Sequence, residues 1–479
     1  MMTLTQAFDW ATRAGSTARL LGNAGLCVKR VHTDTRSLQP GDLFVALKGE
    51  HYDANDFLAQ AREKGAVAAI AHHGLESAGL PGLQVVDSKL ALGQLASGWR
   101  SQFSLPLVAV TGSNGKTTVT QMIAAILRAW KNEAAFSTYG NLNNDIGVPL
   151  TLLRLNALHE VGVVELGMNH PGEIAGLAAM VQPAVALVNN AQREHLEFMH
   201  TVKAVAHENG SVIAALDEHG VAVFPADDEF TPIWRGLAGS RKTITFAESE
   251  QHDSHADITA KAIWTGMAWQ VQAKTPAGAL GFTLAVAGTH NVKNALAASA
   301  CALAVGAPLA AISEGLSAFA PVSGRSCATS VEIGTRLVTL VDDSYNANPD
   351  SMHAAIDVLA GLPGPRLLVM GDMAEVGSDG PAFHREAAAY ALQVGIEQVF
   401  SFGSQFADVA ADFAKLRHFD DLAELQAAVD AACLSVASVL VKGSRSMKME
   451  RIVGALTAQA TTPTPATTKT INPGEPHAA

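Results

Sequence analysis

One stretch constrains this chain more than any other: Leu107-Val108-Ala109-Val110-Thr111-Gly112-Ser113-Asn114-Gly115-Lys116-Thr117-Thr118. An apolar, β-branched run stops at a Gly-rich turn. Lys-Thr-Thr then opens a segment with Val119, Met122, Ile123, Ile126, Leu127 and Trp130 at helical spacing. That order predicts strand, phosphate loop and helix. Glycines let backbone N–H groups approach phosphate oxygens, and the helix N-terminus adds its own N–H groups and a positive dipole end. The nucleotide-binding set is therefore Gly112, Ser113, Asn114, Gly115, Lys116, Thr117 and Thr118. Lys116 supplies a cation for the outer phosphates and Thr117 a hydroxyl for Mg²⁺. Thr111 stands where the usual pattern has its first glycine, so the loop is a shortened variant. The competing reading is a surface turn that happens to contain Gly-Lys-Thr.

With 479 residues the chain exceeds one hydrophobic core, and about three domains are expected. Hydrophobic residues make up 48% and charged residues 16%, enough to fill large cores. A net charge of −12 argues against a nucleic-acid partner, which demands clustered Lys and Arg, but not against one bound nucleotide. Cys27, Cys301, Cys327 and Cys433 lie far apart, which speaks against a zinc site or a disulfide framework. No basic region followed by an apolar run opens the chain, and no apolar stretch reaches membrane-spanning length. A soluble, cytoplasmic chain with no membrane insertion is expected.

Residues 1–103 read as a small α/β unit, with strands at Leu43–Leu47, Ala66–Ala71 and Leu83–Val86 and a helix over Phe57–Lys64. Its distinctive run, Thr33-Asp34-Thr35-Arg36-Ser37, suits either a pyrophosphate contact or a turn capped by Asp34 and Ser37. Ser104-Leu105-Pro106 reads as a linker into a second domain that extends to residue 320. The polar loop from Phe136 to Pro149 carries Asn141, Asn143 and Asn144 and is either functional or merely solvated. Val161–Gly167 is a buried-type strand with Glu165 near its C-terminal end, where open α/β sheets place ligands. Glu165 is a metal candidate or a strand-end residue. After the next apolar run, Ala184–Asn190, comes His195, a metal or phosphate candidate or an ordinary polar residue. On the following helix Asn209 falls on the apolar face, where a polar side chain needs a partner. Later strands at Val221–Phe224, Ile244–Phe246, Trp269–Ala273 and Gly281–Val286 end in an antiparallel meander. Gly288-Thr289-His290-Asn291-Val292-Lys293-Asn294 opens another helix; its Asn residues match an adenine edge or cap the helix, with Asn291 capping and Asn294 pointing outward as a joint reading.

Ala320–Arg325 reads as a second linker, and residues 321–458 repeat the α/β alternation. Strands are predicted at Leu337–Val341, Leu367–Met370, Gln398–Phe402 and Ser438–Val441, with helices over Met352–Leu359 and Pro381–Gln393. Polar clusters follow three of these strands and make one rim. Residues 459–479 lack apolar bulk and are expected to be a disordered tail.

These pieces in this order resemble the Mur ligase family of peptidoglycan-precursor enzymes. The resemblance rests on Thr-Gly-Ser-Asn-Gly-Lys-Thr-Thr, Glu-Leu-Gly-Met-Asn-His, the His195 loop, Gly-Thr-His-Asn-Val-Lys-Asn-Ala, Gly324-Arg325 and the Asp342-Asp343 loop. Three further runs are similar to the member that adds D-alanyl-D-alanine to a UDP-N-acetylmuramoyl tripeptide: Asp34–Glu50, Asp342–Pro349 and Gly371–Gly377. The resemblance implies an α/β chain of three domains: a small N-terminal one, a central P-loop ATPase-like one with a mostly parallel sheet, and a C-terminal Rossmann-like one. It implies a monomer that uses ATP and Mg²⁺ to form an amide through an acyl phosphate. Carried over, Lys116, Glu165 and His195 are catalytic, and Thr117, Glu165 and His195 hold metal. Asn291 and Asn294 face adenine, and Arg325 and Asp343 engage ATP. Thr35, Arg36 and Ser37 lie near the uridine diphosphate; Asn141 and Asn144 also serve substrate; Asn346, Asn348, Asp372 and Glu375 form the dipeptide side. The family has a carbamylated Lys, a further metal ligand, where Asn209 stands here, so a second Mg²⁺ is expected to bind weakly or through water. Other amide ligases of the superfamily, including folylpolyglutamate synthase, are the nearest alternatives, and a nucleotide-binding homologue without activity is a further one.

Overall fold

The computed structural model describes residues 1–13, 16–49, 51–248, 255–334 and 336–460. The chain divides into two units, Met1–Pro321 with Glu375–Ser378, and Val322–Ala374 with the chain from Asp379 onward. The expected tail lies outside the described residues from 461 on, and a helix, Glu450–Ala460, covers its first two positions.

The first unit opens with α1 (Leu4–Thr12), started by a capping box between Thr3 and Gln6. A five-stranded sheet follows: β1 (Ala18–Leu21), β2 (Arg30–His32), β3 (Asp42–Val45), β4 (Ala68–Ala71) and β5 (Gly82–Val85), in the order β1-β5-β4-β3-β2. Then comes α2 (Ser88–Arg100), capped by Asp87 on the N–H groups of Lys89 and Leu90. The expected linker at 104–106 is tied down. The buried Arg100 guanidinium donates to the carbonyls of Phe103 and Leu105 in that connector, and to those of Val181 and Gln182.

The central sheet has nine strands: β6 (Leu107–Thr111), β7 (Ala135–Ser137), β8 (Val161–Glu165), β9 (Val185–Val188), β10 (Val221–Pro225), β11 (Lys242–Ala247), β12 (Ile258–Trp264), β13 (Trp269–Thr275) and β14 (Gly278–Leu284). Their order is β14-β13-β12-β11-β10-β9-β6-β8-β7. Pairing is parallel from β7 to β12 and antiparallel across β12, β13 and β14, so the expected meander is present. Sequence periodicity missed β7 and β12. β6 sits between β8 and β9, with Glu165 level with Val110 and Val188 level with Thr111. The chain ends of both neighbours therefore flank the loop that follows β6.

Side chains alternate across each strand, and here they divide two cores. Leu107 and Ala109 join one core; Val108 and Val110 join the other. The second core is closed by α3 (Lys116–Lys131), α6 (Thr289–Ala304) and α7 (Leu309–Ser317). The first is closed by α2, α4 (Glu173–Val181) and α5 (Val202–Ala214). It continues without a break into Met2, Leu4, Trp10, Leu43, Ile70 and Leu83. One shared apolar core explains why the small N-terminal sheet and the central sheet form a single unit.

The second unit holds β15 (Cys327–Ile333), β16 (Arg336–Asp343), α8 (Pro349–Ala360), β17 (Arg366–Gly371), α9 (Gly380–Gln393), β18 (Gln398–Phe402), β19 (Leu416–Phe419) and β20 (Ser438–Lys442). The sheet order is β15-β16-β20-β17-β18-β19, parallel except for the β15–β16 hairpin. β15 and β19 are strands that the sequence pattern did not reveal.

Candidate active site

The loop after β6 turns on two glycines. Gly112 has φ +134° and Gly115 φ +80°, and a Cβ at Gly115 would come within 2.6 Å of Asn294 Oδ1. Only glycine meets both demands. Lys116 begins α3, and no side chain caps that helix, so its N-terminus is open to an anion.

The loop's shape is held by amide side chains. Asn190 Oδ1 accepts from Asn114 N at 2.8 Å, while Asn189 and Asn190 both donate to the Asn114 carbonyl, at 2.8 and 3.0 Å. Gln192 binds Asn114 Nδ2 at 2.6 Å, and its N–H donates to Ser113 Oγ at 2.9 Å. Asn189 also donates to Asn294 Oδ1 at 2.9 Å, and Asn294 to Asn291 Oδ1 at 3.0 Å. Asn291 does not cap α6: it sits inside the first turn and donates to the Ala287 carbonyl at 2.7 Å, while Gly288 is the capping position. Asn294 does not point outward either. Both are buried where α6 packs its first turn, with Asn294 taken up by Asn189 and Asn291 by Asn294 and the Ala287 carbonyl.

The partner that Asn209 requires is the loop itself. Its Oδ1 accepts from Thr111 Oγ1 at 2.5 Å and from Gly112 N at 3.1 Å. Glu208, beside it, is engaged elsewhere. Its two oxygens accept from Gly172 N and Ile174 N, each at 2.8 Å, and so cap α4.

Thr117 and Glu165 meet as their motifs predict: Thr117 Oγ1 donates to Glu165 Oε1 at 3.0 Å. Asn143 Nδ2 donates to the same oxygen at 2.8 Å. Glu165 Oε2 is buried without a partner. A hydroxyl and a carboxylate with one unused buried oxygen are hard donors that fit Mg²⁺. Among the described residues no three His, Cys, Asp or Glu side chains converge as a metal site.

Lys116 Nζ contacts the carbonyls of Gly112 and Ser113 at 2.7 and 3.1 Å and Glu194 Oε1 at 2.7 Å. His195 lies beyond: Nε2 is 3.5 Å from Glu194 Oε1, and Nδ1 is 2.6 Å from Glu375 Oε2. Burial pushes the imidazole down, but Glu194 and Glu375 outweigh it and raise its pKa to about 9. The two carboxylates thus favour the protonated ring.

The remaining candidates are placed as follows. Thr118 is buried in the first turn of α3. Asn144 Oδ1 caps Ile146 N and Gly147 N, and Asn141 is exposed; Asn143, not singled out from sequence, is the loop residue that reaches Glu165. Thr35–Ser37 is a short 3-10 turn capped by Asp34, as the turn reading has it; Arg36 pairs with Asp34 and Ser37 Oγ lies 2.7 Å from His32 Nε2. In the second unit Arg325 stacks over Tyr345 at 4.1 Å. Asp343 accepts from Ser326 N at 2.9 Å and pairs with Lys442 at 2.6 Å, while Lys442 also donates to the Asn346 carbonyl. Asn348 caps α8, and Asp372 accepts from Gln405 N and Phe406 N, each at 3.0 Å. Glu375 belongs with the first unit, beside His195. Glu194 and the Asn189–Gln192 amides carried no local signal, since each is recognised only by a partner distant in sequence; Lys442 lies in one of the polar clusters at the strand ends but was not singled out.

Comparison with known proteins places this arrangement. Family models described as the Mur ligase family catalytic domain, the Mur ligase middle domain and the Mur ligase glutamate ligase domain match residues 28–100, 110–302 and 331–445. The UDP-N-acetylmuramoyl-tripeptide--D-alanyl-D-alanine ligase of Escherichia coli (strain K12) is 43% identical over 439 residues, covering 91% of this chain and 95% of that protein. The same-named Haemophilus influenzae protein is 40% identical over 451 residues, covering 92% of this chain and 96% of its own. A crystal structure of MurF from Acinetobacter baumannii superposes with a TM-score of 0.86 at 33% identity, covering 95% of this chain and 98% of that one. The Thermotoga maritima MurF ligase, solved with ADP, gives 0.78 at 26% identity over 91% and 98%. With three family models in order along its length and relatives this similar across nearly all of it, this chain belongs to the Mur ligase family.

Proposed function

We propose that this chain joins D-alanyl-D-alanine to a UDP-N-acetylmuramoyl tripeptide at the expense of ATP. The observation that carries the reading is the phosphate loop with Lys116 in its cradle and Thr117 against the buried Glu165. Extended likeness to ligases of that name supplies the substrate class. A carboxylate is a poor acyl donor, because oxide is a poor leaving group. Its oxygen therefore attacks the γ-phosphorus, the bond to the β-phosphate breaks, and ADP leaves. The dipeptide amine then attacks the acyl carbon, phosphate departs, and the amine loses a proton.

Such transfer depends on positioning and charge more than on covalent help from the protein. Lys116 takes the β- and γ-phosphates, and the open N-terminus of α3 adds N–H groups. The Asn189, Asn190, Gln192 and Asn209 amides keep the loop in its receptive shape before nucleotide arrives. His195, whose protonated form Glu194 and Glu375 favour, adds positive charge beside Lys116. Thr117 and Glu165 would hold Mg²⁺, which neutralises phosphate charge when bound. A UDP-linked precursor and ATP as substrates support a cytoplasmic location.

The test is phosphate release from ATP with each substrate omitted in turn, with mass spectrometry for the joined pentapeptide. Sustained release must require both the UDP-tripeptide and D-alanyl-D-alanine, and Lys116→Ala must abolish it. Release indifferent to the dipeptide, or normal turnover by the Lys116 variant, refutes the reading.

A further inference from the structure

We propose that Glu194 is an affinity-setting residue: it occupies Lys116 as a built-in stand-in for phosphate and so loosens the enzyme's grip on nucleotide. The inference rests on nucleotide binding at this loop and goes beyond it. An ammonium has three donors, and here all three are spent, on the Gly112 carbonyl, the Ser113 carbonyl and Glu194 Oε1. Both side chains of the pair are largely withdrawn from water, at 15% and 11% exposure. A surface ion pair would yield freely to an incoming anion, but one this desolvated competes with it.

The surrounding chain holds Glu194 in that position. Gln192 is fastened to the phosphate loop through Asn114 and Ser113, and Glu194 N donates back to the Gln192 carbonyl at 2.8 Å. His195 then takes φ +50°, a left-handed conformation that non-glycine residues rarely adopt. The turn thus aims Glu194 at Lys116 and His195 past it.

Of the three acceptors on Lys116, Glu194 Oε1 alone belongs to a side chain and can swing aside, so it is the one a β-phosphate oxygen replaces. The displaced carboxylate keeps its one buried, unpartnered oxygen and falls back on His195. Part of the affinity of Lys116 for phosphate is spent on that exchange. ADP, whose terminal phosphate is the one Lys116 holds after transfer, leaves faster as a result, and release limits turnover in many ligand-closing enzymes.

Glu194→Gln keeps shape and an acceptor oxygen but removes the charge. With EDTA present, so that no metal contributes, ADP should bind about tenfold tighter by calorimetry or by competition with a fluorescent ADP analogue, mostly through slower dissociation. AMP, which has no β-phosphate, should change less than about twofold. Glu194→Ala must move ADP in the same direction, which keeps the test alive if one variant folds poorly. ADP affinity unchanged or weakened in the folded variants overturns the proposal, as does an equal gain for AMP. Failure of the unaltered protein to bind ADP at all would instead overturn the nucleotide-binding reading.

Discussion

Removing the amide of Asn209 should disable the phosphate loop without touching any group that meets nucleotide. In Asn209→Ala, Thr111 Oγ1 and Gly112 N lose their common acceptor, in a place where Thr111 and Asn209 are almost wholly buried. An orphaned buried donor costs about 1–3 kcal/mol. The Thr111 hydroxyl can rotate, so its share falls at the low end, whereas the Gly112 N–H is fixed by the backbone. Asn209 Nδ2 is itself unpartnered, and its removal returns roughly 1 kcal/mol. The net loss is about 2–3 kcal/mol, concentrated where β6 passes into the loop. If half of it falls on the loop's receptive conformation, the ADP dissociation constant rises about 5- to 12-fold, by the rule that 1.4 kcal/mol is tenfold. The assay is calorimetric ADP binding together with urea unfolding of the same preparations. Asn209→Lys should fare no better, since an ammonium offers no acceptor. An Asn209→Ala protein that binds ADP within about twofold of the unaltered one refutes the claim that this amide shapes the loop.

Two further outcomes follow from the geometry. Asn143→Ala removes a donor from Glu165 Oε1, and loss of such an orienting partner should raise the Mg²⁺ concentration for half-maximal turnover by about 10-fold or more; an unchanged requirement separates Asn143 from the metal site. Thiol labelling should rank the cysteines by burial. Cys27 is exposed and reacts at pH 8, whereas burial pushes the Cys433 thiol up to about 12 and Cys301 still higher, so both stay unlabelled by iodoacetamide until the chain unfolds. Rapid native-state labelling of Cys433, read by peptide mass spectrometry, contradicts that ranking.

What was legible in advance was whatever short runs of residues encode locally. The strand, glycine turn and helix around Lys116 are consecutive in sequence, so apolar spacing alone predicted them, and the antiparallel pair of β13 and β14 showed in its alternation. Edge strands such as β7 and β19 were not legible, because three or four residues make too short a period to distinguish from a loop. Asn209 was flagged as a polar residue on an apolar face, yet its partner stands 98 positions away and no spacing rule reaches that far.

From its sequence alone this chain was bound to place a phosphate loop at the end of a buried strand, because glycines at Gly112 and Gly115 and an apolar run before them admit little else. Tertiary structure decided the rest: that Asn294 turns inward to Asn189 beside the loop, that Asn209 clamps it, and that Glu194 waits on Lys116 from 78 residues away. Those pairings arise from the order of strands in the sheet, which sets β8 and β9 on either side of β6. Side chains buried there must find partners among whatever the sheet brings close, and that choice is made in space rather than along the chain.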